Sequence, residues 1–189
     1  RADVAAMLDK VKAEDGCNFY SLVIEDEATG LVNVVDQWRD DAALLHELQA
    51  YLAAAGRAPL TKAQIGLMKE ALPFLKSSAK TFPELIEKAG FLMISRPIAQ
   101  DAKAAEALDT VSRGILKSLT PRLQNASWTK EALEPILTGI AAENGIGFGK
   151  LAAPLRAALA GRTVTPSVYD MMLTIGREET VARLSDAAG

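Results

Sequence analysis

The sequence predicts a mainly α fold, in which two packed small helical subdomains, residues 43–122 and 123–189, follow a short acidic α+β element over residues 1–42. Three observations predict it. From Asp41 onward, apolar residues recur at spacings of three and four, the mark of helices with one buried face. Between these runs lie helix-start and helix-stop residues at the offsets that caps require. The first forty residues carry instead two β-branched and aromatic runs around an acidic turn.

Each element follows from its residues. Asp3 is placed to cap a short helix through Val4, Met7, Leu8 and Val11, and the runs 19–24 and 31–35 predict a hairpin around Glu25, Asp26 and Glu27. That acidic cluster is the pattern of a solvated turn far more than of a cation site. Asp41 is placed to cap a helix through Leu44, Leu45, Leu48 and Leu52 that ends near Gly56. Thr61 with Gln64 forms a capping box, which opens a helix through Ile65, Met68, Leu72 and Leu75 that Pro73 should kink. Thr81 with Glu84 repeats the box, and Gly90 is placed to close the helix. The next helix starts near Asp101, shows Leu108, Val111, Ile115 and Leu119 on one face, and stops at Pro121. In the second subdomain the faces are Leu133, Ile136, Leu137 and Ile140, then Leu151, Leu155, Ala158 and Leu159, then Val168, Met172 and Ile175. Thr165 as N-cap and Pro166 at the first helical position open the third of these, Gly176 is placed to end it, and a last helix runs over residues 178–184.

Composition narrows the chemistry. An apolar content of 49% over 189 residues is enough for a helical core, and no apolar run reaches the length of a membrane span. Residues 1–20 are too charged for a signal peptide, so the expected compartment is the cytoplasm. With one cysteine, Cys17, and one histidine, His46, the chain cannot assemble a disulfide, a Cys-rich zinc site or a Cys–His nucleophile pair, and neither a metal site nor a catalytic residue is expected. Residues 1–42 hold 4 Lys/Arg against 10 Asp/Glu, whereas the rest hold 17 against 14. Only the helical part is therefore a credible partner for a polyanion, and residues 112–165, with 7 cations against 3 carboxylates, form a modest basic zone within it. On charge alone a solvated helical surface is the commoner reading.

A resemblance sharpens this. The ordered series Trp128-Thr129-Lys130-Glu131-Ala132-Leu133, then Phe148-Gly149-Lys150-Leu151-Ala152-Ala153-Pro154-Leu155-Arg156, then Thr165-Pro166-Ser167-Val168-Tyr169 and Leu173-Thr174-Ile175-Gly176-Arg177-Glu178 resembles the anticodon-binding C-terminal part of bacterial glutamyl-tRNA synthetases. The resemblance covers about residues 43–189. It implies two helical anticodon-binding subdomains and recognition of tRNA(Glu), with the catalytic domain of the parent synthetase as the second partner. It also implies that ATP and Mg belong to that catalytic domain and that this chain holds no cofactor, since the family's His-Ile-Gly-His-like and Lys-Met-Ser-Lys-like signatures have no counterpart here. The chain alone is expected to be inactive. Residues 1–42 do not match the stretch that usually leads into the family's anticodon-binding part.

The resemblance also places the expected contacts. In the family, a motif like Leu-Lys-x-Arg-x-Lys-Thr-Leu presents an arginine to the third anticodon base; here it reads Leu75-Lys76-Ser77-Ser78-Ala79-Lys80-Thr81-Phe82, with Ser78 at the arginine position. A hydroxyl in place of a guanidinium fork implies relaxed discrimination and admits tRNA(Gln) as a second partner. Lys76 and Lys80, one helical turn apart, are candidates for flanking phosphates, although a solvated face is the commoner role of such lysines. Leu155 and Arg156 fall where the family presents an arginine to the anticodon loop, and Thr165, Pro166, Val168 and Tyr169 where it supports unstacked bases. Trp38 and Trp128 read as packing anchors and His46 as a surface residue. The rival reading is a helical protein–protein interaction module that kept the scaffold and lost RNA binding.

Overall fold

The computed structural model describes residues 17–26, 31–38 and 41–189. The helix expected from Asp3 lies outside them. The chain divides into two compact units, residues 1–87 and 88–189. The boundary expected after residue 122 falls within the second unit.

In the first unit, strands β1 (Cys17–Asp26) and β2 (Leu31–Trp38) pair antiparallel, with Tyr20 opposite Asp36 and Leu22 opposite Val34. Helix α1 (Asp41–Ala54) buries Leu44, Leu45, Leu48 and Leu52, as its spacing predicts. Helix α2 (Lys62–Leu75) begins with the complete Thr61–Gln64 capping box and buries Met68, Ala71, Leu72 and Leu75. The link between α1 and α2 is pinned by Gln49, whose side chain donates to the Leu60 carbonyl at 3.2 Å and accepts from the Leu60 N–H at 2.8 Å. Pro73 sits in the last turn of α2. Helix α3 (Phe82–Lys88) starts with Thr81 Oγ1 accepting from the Glu84 N–H, but the Glu84 carboxylate reaches past Thr81 to the Lys80 N–H at 2.7 Å. The second capping box is therefore only half formed.

In the second unit, a 3-10 turn (Ala89–Leu92) opens the chain, so Gly90 lies inside a tightened helical turn rather than ending the helix. The single helix expected from Asp101 is two. Asp101 caps α4 (Ala102–Ala107) and Asp109 caps α5 (Thr110–Gln124), each accepting a backbone N–H at 2.7 Å. The second cap turns Val111 outward, where it is 69% exposed, while Ile115, Leu116, Leu119 and Leu123 are buried. Pro121 does not stop α5. It removes one donor, yet burial of Leu123 keeps the last turn helical.

Helices α6 (Lys130–Glu143) and α7 (Phe148–Ala160) bury Leu133, Leu137 and Ile140, and Leu151, Leu155, Ala158 and Leu159. Gly161 closes α7 with φ +71°, and a Cβ there would lie 2.2 Å from the Ala99 carbonyl oxygen, so only glycine fits. Helix α8 (Val168–Ala188) packs against α5 and α7. It begins two residues later than expected: Ser167 is the N-cap, and Thr165 Oγ1 instead donates to the Pro166 carbonyl at 3.0 Å. Gly176, at φ 81° and ψ 172°, breaks α8 without ending it, because the chain resumes helical geometry at once and buries Thr180, Arg183 and Leu184.

The buried Arg183 ties the unit together. Its guanidinium donates to the carbonyls of Phe91 at 2.8 Å and Leu159 at 2.6 Å and pairs with Glu179 at 2.7 Å. A charge this deep is tolerated only when so fully partnered.

Candidate nucleic-acid interface

The sequence-predicted residues fall into two groups, one in each compact unit. In the first unit, Lys76 caps the end of α2 and its ammonium lies 2.8 Å from the Asp41 carboxylate, with both side chains nearly half exposed. Ser77 and Ser78 turn their hydroxyls onto the carbonyls of Phe74 (2.7 Å) and Leu75 (3.2 Å) at the helix end, where the Leu75 carbonyl also accepts the backbone N–H groups of Ser78 and Ala79. Lys80 is exposed and gives its backbone N–H to Glu84. Lys76 and the two serine hydroxyls thus already have partners in the first unit, whereas the bond at Lys80 is made by its backbone and not by its ammonium.

The second unit brings three helix starts to one surface. Phe148 is the first residue of α7 and Tyr169 the second of α8, and their rings stack with centroids 5.4 Å apart and planes inclined by 14°. Lys130, the first residue of α6, holds its ammonium 6.0 Å from the Tyr169 ring centre. Both rings are half-buried, so each keeps part of its surface for solvent. Burial, and secondly the charge of Glu134, raises the Tyr169 hydroxyl above the usual tyrosine range, so it stays a neutral donor. Neither α7 nor α8 has a side-chain cap at its start. Their first N–H groups are of the kind that receives a phosphate or a base edge.

Arg156 lies in the third turn of α7, half-buried, and its Nε is buried without a hydrogen-bond partner. An unpaired buried donor costs stability unless something else satisfies it. Leu155 and Val168, at 0% and 2% exposure, are core residues and offer no side-chain surface of their own. Thr165 and Pro166 remain partly exposed in the turn before α8, next to Val164, which is 81% exposed.

The basic stretch is less uniform than its sequence. Arg122 is held by both oxygens of Glu143, at 2.8 and 2.7 Å, and Arg113 donates to the carbonyls of Leu108 and Ala187. Those two cations serve the fold. Sequence reasoning singled out Tyr169 but missed Phe148 and Lys130 as its companions; an aromatic and a lysine each opening a helix was the available signal. Among the described residues no cluster of His, Cys, Asp and Glu could hold a metal ion, and no helix is long and apolar enough to cross a membrane. His46 is exposed.

The family described as "Anticodon binding domain" matches residues 33–188, most of the chain. The chain belongs to that family. It is 68% identical over 149 residues to glutamate–tRNA ligase 2 of one strain of Cereibacter sphaeroides, covering 79% of this chain and 32% of that protein. To glutamate–tRNA ligase 1 of another strain of that species it is 58% identical over 183 residues, covering 97% of this chain and 36% of the relative. The anticodon-binding domain thus spans about a third of the length of the curated relatives it matches. Among solved structures, a glutamate tRNA ligase from Elizabethkingia meningosepticum matches with a TM-score of 0.61 and 25% identity, over 78% of this chain and 28% of that one. The mainly helical architecture is the one this structural match covers.

Proposed function

We propose that the chain recognises the anticodon arm of tRNA(Glu) as the C-terminal part of a cytoplasmic glutamate–tRNA ligase, the enzyme of protein biosynthesis that charges this tRNA. The observation that carries this reading is the stacked Phe148–Tyr169 pair with Lys130 beside it, inside the region matched by the anticodon-binding family. Every base has a π face, so an aromatic surface can receive bases splayed from a loop, while lysines and arginines hold the phosphates around them. Arg156 is half-buried, and the exposed part of its guanidinium is of the kind that meets a base edge or phosphate. Thr165 and Pro166 shape the turn that delivers Tyr169, and Lys76 and Lys80 contribute phosphate contacts from the first unit.

Ser78 sets tolerance at the third anticodon base. A hydroxyl lacks the charged fork that separates C from G, so tRNA(Gln) binds nearly as well as tRNA(Glu). ATP and Mg act in the catalytic domain of the parent protein, and this chain alone carries out no ATP–pyrophosphate exchange. The relatives favour this reading over a helical interaction module without RNA binding, since both are tRNA ligases by name.

The test is binding of tRNA(Glu) to this chain across a salt series, with heparin as a competitor polyanion. Affinity should fall steeply with salt, as expected when phosphate contacts dominate, and tRNA should outcompete heparin. Equal competition by heparin would reject anticodon recognition, and normal binding by Arg156→Ala would remove that residue from the site.

A further inference from the structure

The residues before and after the break in α8 are both tied to Trp128. At Gly176 the helix passes through φ 81° and ψ 172°, a conformation open to glycine and strained for other residues, although a Cβ there would touch nothing within 4 Å. The constraint is therefore backbone geometry and not space. Just before the break, the Met172 carbonyl accepts from the Trp128 indole N–H at 3.1 Å and from the buried Thr180 hydroxyl at 3.4 Å. Just after it, Arg177 lays its guanidinium 5.7 Å from the centre of the Trp128 ring and donates to the Ala126 carbonyl at 2.6 Å.

The consequences differ for the two halves of α8. The half after Gly176 is fastened by Arg183 to Phe91 and Leu159, by Arg96 to Glu179 and Asp186, and by Arg113 to the Ala187 carbonyl. None of these bonds reaches the half before it. That first half carries Tyr169, one helical turn before Met172, and so on the same side. Trp128 contacts Met172 while Lys130, two residues along, faces Tyr169. The segment from Trp128 to Lys130 thus lies alongside the first two turns of α8.

We propose that Trp128, held by Arg177, is a positioning residue: its indole N–H fixes the angle of the first half of α8 at the Gly176 break and so sets where Tyr169 meets RNA. This rests on the reading of the Phe148–Tyr169 surface as an RNA contact. Trp128→Phe keeps a ring under Arg177 and removes the donor. It should weaken tRNA binding about threefold to tenfold, the range of one hydrogen bond, while the slope of affinity against salt stays the same because no phosphate contact is lost.

The deciding measurement is a double-mutant cycle. If Trp128 acts through Tyr169, the Trp128→Phe/Tyr169→Ala double variant binds tRNA no worse than Tyr169→Ala alone, whereas a general structural role would make the two losses multiply. Multiplying losses, or unchanged binding by Trp128→Phe, would overturn the proposal. Should Tyr169→Ala by itself bind normally, the RNA-surface reading fails, and the positioning role with it. If Trp128→Phe does not fold, Arg177→Lys carries the same cycle, since it keeps the charge but loses the flat group that stacks on the indole. It should weaken binding about twofold to threefold, again without adding to Tyr169→Ala, and additivity there also refutes the idea.

Discussion

The end of α2 and the start of α8 are both candidate RNA contacts, yet the chain treats them differently. At the end of α2, Lys76 is paired with Asp41, Ser77 and Ser78 close their own helix, and Glu84 occupies the Lys80 N–H. At the start of α8, two rings stack with part of their surface exposed, and the helix has no side-chain cap. Groups that satisfy one another must exchange partners to bind, so the first region gains little net energy per contact. The second gains nearly the full value of each contact. The first is suited to adjusting affinity and specificity, and the second to supplying affinity.

The largest expected effect separates the two regions by folding. Gly161→Ala would force a left-handed residue and a Cβ 2.2 Å from the Ala99 carbonyl oxygen, in the loop that also donates the Asp101 N–H to the Gly161 carbonyl. Left-handed strain and a backbone clash together should cost roughly 2 to 4 kcal/mol. Hydrogen exchange should show the loss in residues 88–189 and spare α1 and α2. Equal loss of protection in both units would mean that they unfold as one.

Next in size is Tyr169→Ala. Losing a stacking face should cost about 1 to 3 kcal/mol of tRNA binding with little change in melting temperature, because the ring is half exposed. A collapse in thermal stability with intact binding would instead make the Phe148–Tyr169 pair a packing feature. Ser78→Arg tests the other region. It should separate tRNA(Glu) from tRNA(Gln) by roughly 1 kcal/mol, the low end for a bidentate contact, since part of the gain goes into displacing neighbours. Strong discrimination already present with Ser78, and unchanged by Ser78→Arg, would locate base reading elsewhere.

These regions also differ in how well the sequence foretold them. The helical faces and the Thr61–Gln64 box were legible because they depend on residues within one or two turns. Pro121 was misread because the local rule says that proline stops a helix, while burial of Leu123 in a distant contact decides otherwise. Asp109 was passed over because the apolar spacing runs smoothly across it, although a cap needs only a side-chain oxygen three residues before a free N–H. Thr165-Pro166 matched a helix-start pattern so well that Ser167 was overlooked. For the site, Tyr169 and Arg156 were found through an ordered motif. Phe148, Lys130 and the Trp128–Arg177 grip were not, since they are made by separate helices meeting in space.

The smallest expected effect is the most direct probe of the self-satisfied region. Lys76 and Asp41 are 45% and 44% exposed, so their ion pair contributes well under about 1 kcal/mol to stability and is weakened by salt. Asp41→Asn should leave the melting temperature nearly unchanged. It also releases Lys76 for phosphate, and tRNA affinity at low salt should rise by no more than about threefold, with a slightly steeper salt dependence. Removing any carboxylate from a surface near RNA also raises affinity by general attraction, so the gain alone decides nothing. Repeating Asp41→Asn in a Lys76→Ala background separates the causes. If the gain vanishes there, Asp41 restrains Lys76 and the two regions differ as argued; if it persists in full, Lys76 is not a phosphate contact and the contrast rests on the aromatic surface alone.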